Sequence, residues 1–284
     1  MKCLIASISA CLPLVGYVLG GTSINVIDDQ KILKQVPVNV GSLVEKKMTL
    51  EWASLVEQLK RNKVKLELPS VQTSPLENIY ESRADSVVAV ASVYKCDRCT
   101  EWHSSGAATG WVLTADGVMV TNYHVFAGKE VAGFGVMTRD GKFAPVTEIL
   151  AASKRSDVAI FRVGEGKYKP ITLGPDAAVG SDLHIIAHPD SRFYTYTSGK
   201  VSRYYKRRGS GRAGATIMAV TAEFARGSSG GPVMNSNGNL VGMVSSTQTI
   251  YYPSKKKTDK QGPFQMVIRN CVPVSAIREL LECF

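Results

Sequence analysis

A serine between small residues, in Gly227-Ser228-Ser229-Gly230-Gly231-Pro232, has the make-up of a nucleophile loop whose backbone can also meet developing negative charge. Glycines permit the tight turn and let a substrate carbonyl approach the main chain without meeting a side chain. A serine hydroxyl is nearly inert until a base takes its proton, so the loop carries chemistry only with a histidine and an acid beside it. The histidines are His103, His124, His184 and His188. His124 stands out because Val120-Thr121-Asn122-Tyr123-His124-Val125-Phe126 puts it directly after a strand candidate, where its ring can project into a cleft. A lone histidine is commonly structural. Asp157, in Ser156-Asp157-Val158-Ala159-Ile160, precedes an apolar strand, where burial can hold a carboxylate against an imidazole N–H. Aspartate is also a frequent turn residue. Together, His124, Asp157 and Ser229 form a set that none of them makes alone.

The elements that must position these residues read as short β-rich runs between turn residues. Strand candidates are Val87 to Tyr94, Ala107 to Thr114, Val118 to Thr121, Phe143 to Leu150 and Val158 to Val163. The second half continues with Leu183 to Ala187, Phe193 to Tyr205, Thr216 to Thr221, Pro232 to Asn235, Leu240 to Ser246 and Phe264 to Arg269. Ala115-Asp116-Gly117 and Asp140-Gly141 look like hairpin turns, and Asn235-Ser236-Asn237-Gly238 is a further turn cluster. Val274 to Cys283 has Ile277, Leu280 and Leu281 at helical spacing and predicts a short terminal helix. The class is all-β, in two halves of similar size, with barrels or a sandwich as the architectures that suit it.

TNYHVF, SDVAIFRV and GSSGGPV resemble the three catalytic segments of trypsin/chymotrypsin-like serine endopeptidases, specifically the bacterial HtrA-like branch. Thr109-Gly110-Trp111-Val112-Leu113, Asn239-Leu240-Val241-Gly242-Met243, and Phe264-Gln265-Met266-Val267-Ile268 leading to Val272-Pro273-Val274 extend the resemblance over about residues 80 to 284. It implies a chymotrypsin-like double β-barrel with the cleft between barrels, His124 and Asp157 from the first and Ser229 from the second. By that resemblance Ser229 attacks, His124 takes and returns the proton, and Asp157 orients His124. The N–H groups of Gly227 and Ser229 would form the oxyanion hole, worth about 3 kcal/mol per donor. Ser228 is the competing nucleophile, but the family pattern places the reactive serine directly before Gly-Gly. Glu223 stands six residues before Ser229, where a trypsin-like enzyme carries the acid that selects a basic side chain; a solvated carboxylate, or one paired with Arg226, is the competing reading. No PDZ-like module is expected, and vertebrate trypsin's cysteine framework is not reproduced.

With 284 residues, 44% hydrophobic and 20% charged, the chain can bury a substantial core. Met1-Lys2, an apolar stretch from Cys3 to Leu19 and then Gly20-Gly21-Thr22-Ser23 have the order of a secretory signal. Residues 1–20 are therefore read as a signal peptide and the protein as exported, periplasmic or secreted. The stretch is too short for a spanning helix and contains Pro13 and Gly16, so no stable membrane span is expected after cleavage. Cys11 lies too early for a lipoprotein box. Residues 21–75 form an N-terminal extension and linker ahead of a protease domain at 76–284. Within the extension, Thr49 is a candidate cap and Trp52, Leu55, Val56 and Leu59 form a helical stripe that packs on the following domain or covers the active site.

Removal of the signal leaves Cys96, Cys99, Cys271 and Cys283 in an oxidising compartment, with a Cys96–Cys99 disulfide as the favoured pairing. A zinc site would recruit Cys96 and Cys99 with Cys271, Cys283 or His103, but a single CxxC is a weak metal signal, so no metal or other cofactor is assigned. The net charge of +10 gathers in two groups, Arg203, Lys206, Arg207, Arg208 and Arg212, and Lys255, Lys256, Lys257 and Lys260. No nucleic-acid motif accompanies them, so they read as solvated surface, with protein or peptide substrates as partners and no nucleic acid. A binding protein on a protease fold, or an enzyme kept latent by its N-terminal extension, are the alternatives to an active serine endopeptidase.

Overall fold

The computed structural model describes residues 26–208, 214–253 and 261–282. The expected signal over 1–20, with Cys3 and Cys11, lies outside the described residues, as do Cys283, Arg212 and the second lysine group. In chain order the elements are α1 (Asp29–Glu45), α2 (Trp52–Gln58), β1 (Val64–Lys65), α3 (Ile79–Arg83), β2 (Val87–Lys95), β3 (Trp102–Val112), β4 (Val118–Thr121), α4 (Tyr123–Phe126), β5 (Gly133–Met137), β6 (Phe143–Ser153), β7 (Val158–Val163), β8 (Asp182–Ala187), β9 (Thr195–Lys206), β10 (Thr216–Val220), β11 (Pro232–Met234), β12 (Leu240–Tyr251), β13 (Phe264–Pro273), α5 (Val274–Arg278) and β14 (Leu281–Glu282). They close into two six-stranded barrels, ordered β2-β3-β4-β7-β6-β5 and β10-β13-β12-β11-β8-β9. This is the double barrel that the sequence motifs imply.

The β-branched run of β2 shows how one strand serves three layers. Its alternating residues Val88 and Val90 enter the first barrel's interior, around Phe126, Phe134 and Phe161. Val87 and Ala89 face outward into the layer shared with the second barrel, where Trp111, Val120 and Ile160 meet Ile186, Met243 and Val272. Farther along, Ala91 and Val93 are covered by Val36 and Val40 of α1. Such a strand is apolar on both faces because both are buried, each buried valine contributing about 1.5–3 kcal/mol. The second barrel has its own interior of Leu183, Ile185, Val201, Met218, Val233 and Val244.

Residues 26–76 wrap this frame. The Asp28 carboxylate caps α1 by accepting from Lys31 N at 2.9 Å. The helix lies on the first barrel through Val40, which is fully buried, and through Gly41, where a Cβ would stand 2.2 Å from the Trp102 ring. Leu55 and Leu59 of the second helical segment join the first barrel's interior cluster. β1 pairs in parallel with β14, and the 72–76 stretch is tied to the second barrel by Gln72 N to Asn239 Oδ1 at 3.0 Å and Leu76 N to Ser236 O at 3.0 Å.

Four local expectations are corrected. α1 was not read from the sequence, because Pro37 and Gly41 interrupt a stripe of Ile32, Val36, Val40 and Val44 at four-residue spacing. The cap of α2 is Glu51, not Thr49; Thr49 instead packs against Gly133, where a Cβ would meet its Oγ1 at 2.6 Å. β5 was missed, since its Gly-Phe-Gly-Val-Met run does not alternate. The terminal helix ends at Arg278, and Leu281 joins the ladder with β1.

Candidate active site

β4 and β7 are antiparallel neighbours with Thr121 opposite Ala159, so the chain leaving β4 and the chain entering β7 meet at one barrel edge. His124 is on the short helix that follows β4, and Asp157 is the residue before β7. Asp157 adopts φ 61°, a left-handed conformation that aspartate tolerates better than most residues. Its carboxylate is buried, with 3% of the side chain exposed against 49% for His124. His124 Nδ1 lies 3.0 Å from both carboxylate oxygens, and the His124 backbone N–H donates to Oδ1 at 3.1 Å. Ser245 Oγ donates to Oδ2 at 2.7 Å, and Asn122 Nδ2 holds the Asp157 carbonyl at 2.9 Å. A carboxylate only accepts, so Nδ1 carries the proton and Nε2 keeps its lone pair.

The nucleophile loop joins β10 to β11 and is held by the other barrel. Thr109 N donates to Ser229 O at 2.9 Å, and Thr109 Oγ1 donates to Gly227 O at 2.8 Å. Gly230 has φ 88°, and a Cβ there would lie 2.0 Å from Thr109 O. Gly227 has φ 93°, and a Cβ there would lie 2.4 Å from His188 O. Only glycine fits either place. The N–H groups of Ser228, Gly230 and Gly231 go to the carbonyls of Ala225, Val244 and Ser228, whereas those of Gly227 and Ser229 have no acceptor among the described residues. Ser228 is fully buried. His124, Gly227 and Ser229 line one cleft of about 340 Å³, together with Ala107, Ala108 and Arg226. Ser229 Oγ also contacts Ser245 O at 3.4 Å.

Residues 108–243 match the family model of the trypsin-like peptidase domain. The chain carries a trypsin-like peptidase domain. It is 30% identical over 159 residues to Protease Do-like 1, chloroplastic, of Arabidopsis thaliana, covering 52% of this chain and 34% of that protein. It is 26% identical over 227 residues to Protease Do-like 5, chloroplastic, of the same plant, covering 72% and 69%. A probable periplasmic serine endoprotease DegP-like of Bartonella henselae is 30% identical over 149 residues, covering 51% and 28%. The chain thus spans about a third or less of the first and third of these relatives. Among solved structures, the HtrA-type protease AlgW with decapeptide superposes with a TM-score of 0.56 at 18% identity, covering 70% of this chain and 64% of that one. At that identity the likeness speaks for the fold.

Within the peptidase domain, Glu223 is not among the residues lining the cleft. Its carboxylate is ion-paired with Arg269, not with Arg226, and its carbonyl accepts from Thr197 Oγ1 at 2.8 Å. The disulfide between Cys96 and Cys99 is not formed: both are free thiols with Sγ atoms 3.3 Å apart, where a bond needs about 2.05 Å. Cys271 is also free, inside the second barrel, and burial pushes its thiol up. His188 is fully buried, and its Nδ1 accepts from Tyr194 N at 3.0 Å. Burial pulls its pKa down to about 4. Sequence reasoning missed Ser245 and the bracing role of Thr109. Ser245 had no local signal, and Thr109 showed only as the start of TGWVL.

Proposed function

We propose that the peptidase domain hydrolyses peptide bonds of proteins with Ser229 as nucleophile, His124 as general base and acid, and Asp157 as the group that orients His124. The observation that carries the reading is the buried Asp157 carboxylate 3.0 Å from His124 Nδ1, in a cleft that His124 shares with Ser229. On substrate entry the Ser229 hydroxyl turns from the Ser245 carbonyl to His124 Nε2, which takes its proton as Oγ attacks the scissile carbonyl. The new C–O bond gives a tetrahedral oxyanion, for which the uncommitted N–H groups of Gly227 and Ser229 are the available donors. Its collapse expels the amine, which receives the proton from His124 and leaves an acyl-enzyme. Water, activated by the same imidazole, then releases the acid and restores Ser229. The imidazolium formed in each half-reaction faces the Asp157 carboxylate, which the Ser245 hydroxyl and two donors of His124 hold in place.

Latency through a covered cleft is less well supported, since no described residue of 26–76 lines the cleft. Selection of a basic side chain by Glu223 would require that carboxylate to leave Arg269. A peptide library showing no enrichment of Lys or Arg before the cut removes that role. The periplasmic naming of the DegP-like relative of Bartonella henselae agrees with the signal-like start in favouring export. For the chemistry, a fluorophosphonate reacted with the purified full chain is expected to modify the tryptic peptide at Ser229. Modification at Ser228, or none in folded protein, overturns the assignment.

A further inference from the structure

β2 and β3 run past the barrel wall as a two-stranded hairpin, with Tyr94 opposite His103 and Lys95 opposite Trp102. Residues 96–101 close its turn. The last strand pair before the turn is anchored, because Trp102 Nε1 donates to Glu45 Oε1 of α1 at 2.8 Å and the Trp102 ring covers Gly41. The turn has no such support: Cys99 is exposed and Cys96 half-buried. A segment without a core is the setting in which a metal clip supplies order.

The turn brings three soft donors together. Cys99 Sγ lies 3.0 Å from His103 Nε2 and 3.3 Å from Cys96 Sγ, and all three donor atoms fall within 4.8 Å of one another. The backbone N–H groups of Arg98 and Cys99 face Cys96 Sγ, and that of Glu101 faces Cys99 Sγ. Outer contacts of this kind steady thiolate ligands. A tetrahedral Zn²⁺ with bonds of about 2.3 Å to sulfur and 2.0 Å to nitrogen spaces its donors roughly 3.5–3.8 Å apart. The two short spacings need to open by about half an ångström, within reach of side-chain torsions. Two sulfurs and an imidazole suit Zn²⁺ and not Ca²⁺ or Mg²⁺, which take oxygen. Asp97 and Glu101 share the turn but stand outside the donor group.

We propose that Cys96, Cys99 and His103 bind one Zn²⁺ ion, with the fourth position taken by water or another exogenous ligand, and that the ion clamps the β2–β3 hairpin. From His103 the strand runs directly to Ser105, Gly106, Ala107 and Ala108, which form one wall of the cleft beside Gly227. The ion would therefore stiffen a wall of the peptide site from outside it. The metal site itself does not depend on the hydrolytic reading.

The test uses the full chain, reduced, stripped of metal and titrated with Co²⁺ and then Zn²⁺. One equivalent of Co²⁺ is expected to give thiolate-to-cobalt charge-transfer absorption with the visible bands of a four-coordinate site, and Zn²⁺ to displace it. Cys99→Ser and His103→Ala are each expected to weaken Zn²⁺ binding by about a hundredfold or more, with thermal unfolding curves showing that both variants fold. Amide exchange over residues 94–104 is expected to slow when Zn²⁺ is added. Three results overturn the site: no charge-transfer band, tight Zn²⁺ binding retained in both variants, or a Cys96–Cys99 disulfide that forms in the presence of equimolar Zn²⁺. Unchanged amide exchange in the loaded protein overturns the clamp.

Discussion

The two barrels have the same strand count but place their reactive groups by different means. The first sets His124 and Asp157 by register: the β4–β7 ladder brings two adjacent chain ends together, and the pair would survive wherever that ladder survives. The second barrel places Ser229 on a glycine-rich loop that its own ladder does not determine. Contact with Thr109 and the Thr121 hydroxyl, both from the first barrel, fixes that loop. His124 and Asp157 are thus brought together by one barrel, to which β12 of the second adds the Ser245 bond to Asp157, whereas Ser229 is placed at the interface. Substitutions at the interface should accordingly cost more than substitutions around the ladder, apart from the nucleophile itself.

The largest effect belongs to the hydroxyl. Ser229→Ala is expected to lower turnover of a peptide substrate on the order of 10⁶-fold with folding unchanged. Ser228→Ala should stay near wild type, because that side chain is sealed in the core. Next comes the interface. Gly230→Ala forces a Cβ against Thr109 O from a positive φ and is expected to cost roughly 3 kcal/mol of stability along with most of the activity. Urea unfolding measures it, and a tolerated alanine would break the contrast between the barrels.

The third effect tests burial at the same junction. His188, at the end of β8, stays neutral down to about pH 4 when folded, whereas an unfolded histidine takes a proton near pH 6.5. Its folded pKa is depressed, so it contributes nothing to the pH dependence above about pH 6.5. As pH falls from there toward 4, the unfolded chain binds a proton that the folded chain refuses, and stability drops by about 3 kcal/mol. His188→Gln should flatten that slope in unfolding curves recorded between pH 7 and 4, and an unchanged slope would assign the acid sensitivity elsewhere. The smallest effect belongs to Ser245, which reaches the first barrel's Asp157 from β12 of the second. Ser245→Ala removes one bond to Asp157 and leaves the register intact, so kcat should fall on the order of tenfold with KM little changed. A loss approaching that of Ser229→Ala would show that register alone does not hold the pair.

The strands were legible because valine- and isoleucine-rich runs ended in glycine turns, and β4 and β7 were read to the residue. β5 and α1 were not legible for opposite reasons. β5 is too rich in glycine to alternate, and α1 hides a regular stripe behind Pro37 and Gly41, a glycine that only the overlying Trp102 explains. The proposed nucleophile, base and acid stand in short motifs with strong chemical demands. Ser245 carried no such demand, and its role follows solely from the strand that brings it to Asp157. The CxxC suggested a disulfide. His103 was one of three candidates to join the pair in a zinc site, and the hairpin register brings it to Cys99 while Cys271 stays inside the second barrel.

By itself the sequence determined the inventory of chemistry: a serine beside glycines, a histidine after one strand, an aspartate before another, and enough β-branched residues to build two closed sheets. These are local matters, fixed by residue type and short spacing. The tertiary structure decided which groups meet. It buries Ser228, sets Ser229 on the cleft and turns Glu223 toward Arg269. It made glycine obligatory at 227 and 230 through carbonyls more than thirty residues away in the chain. Such choices depend on close approach between segments remote in sequence, and close approach is set by packing.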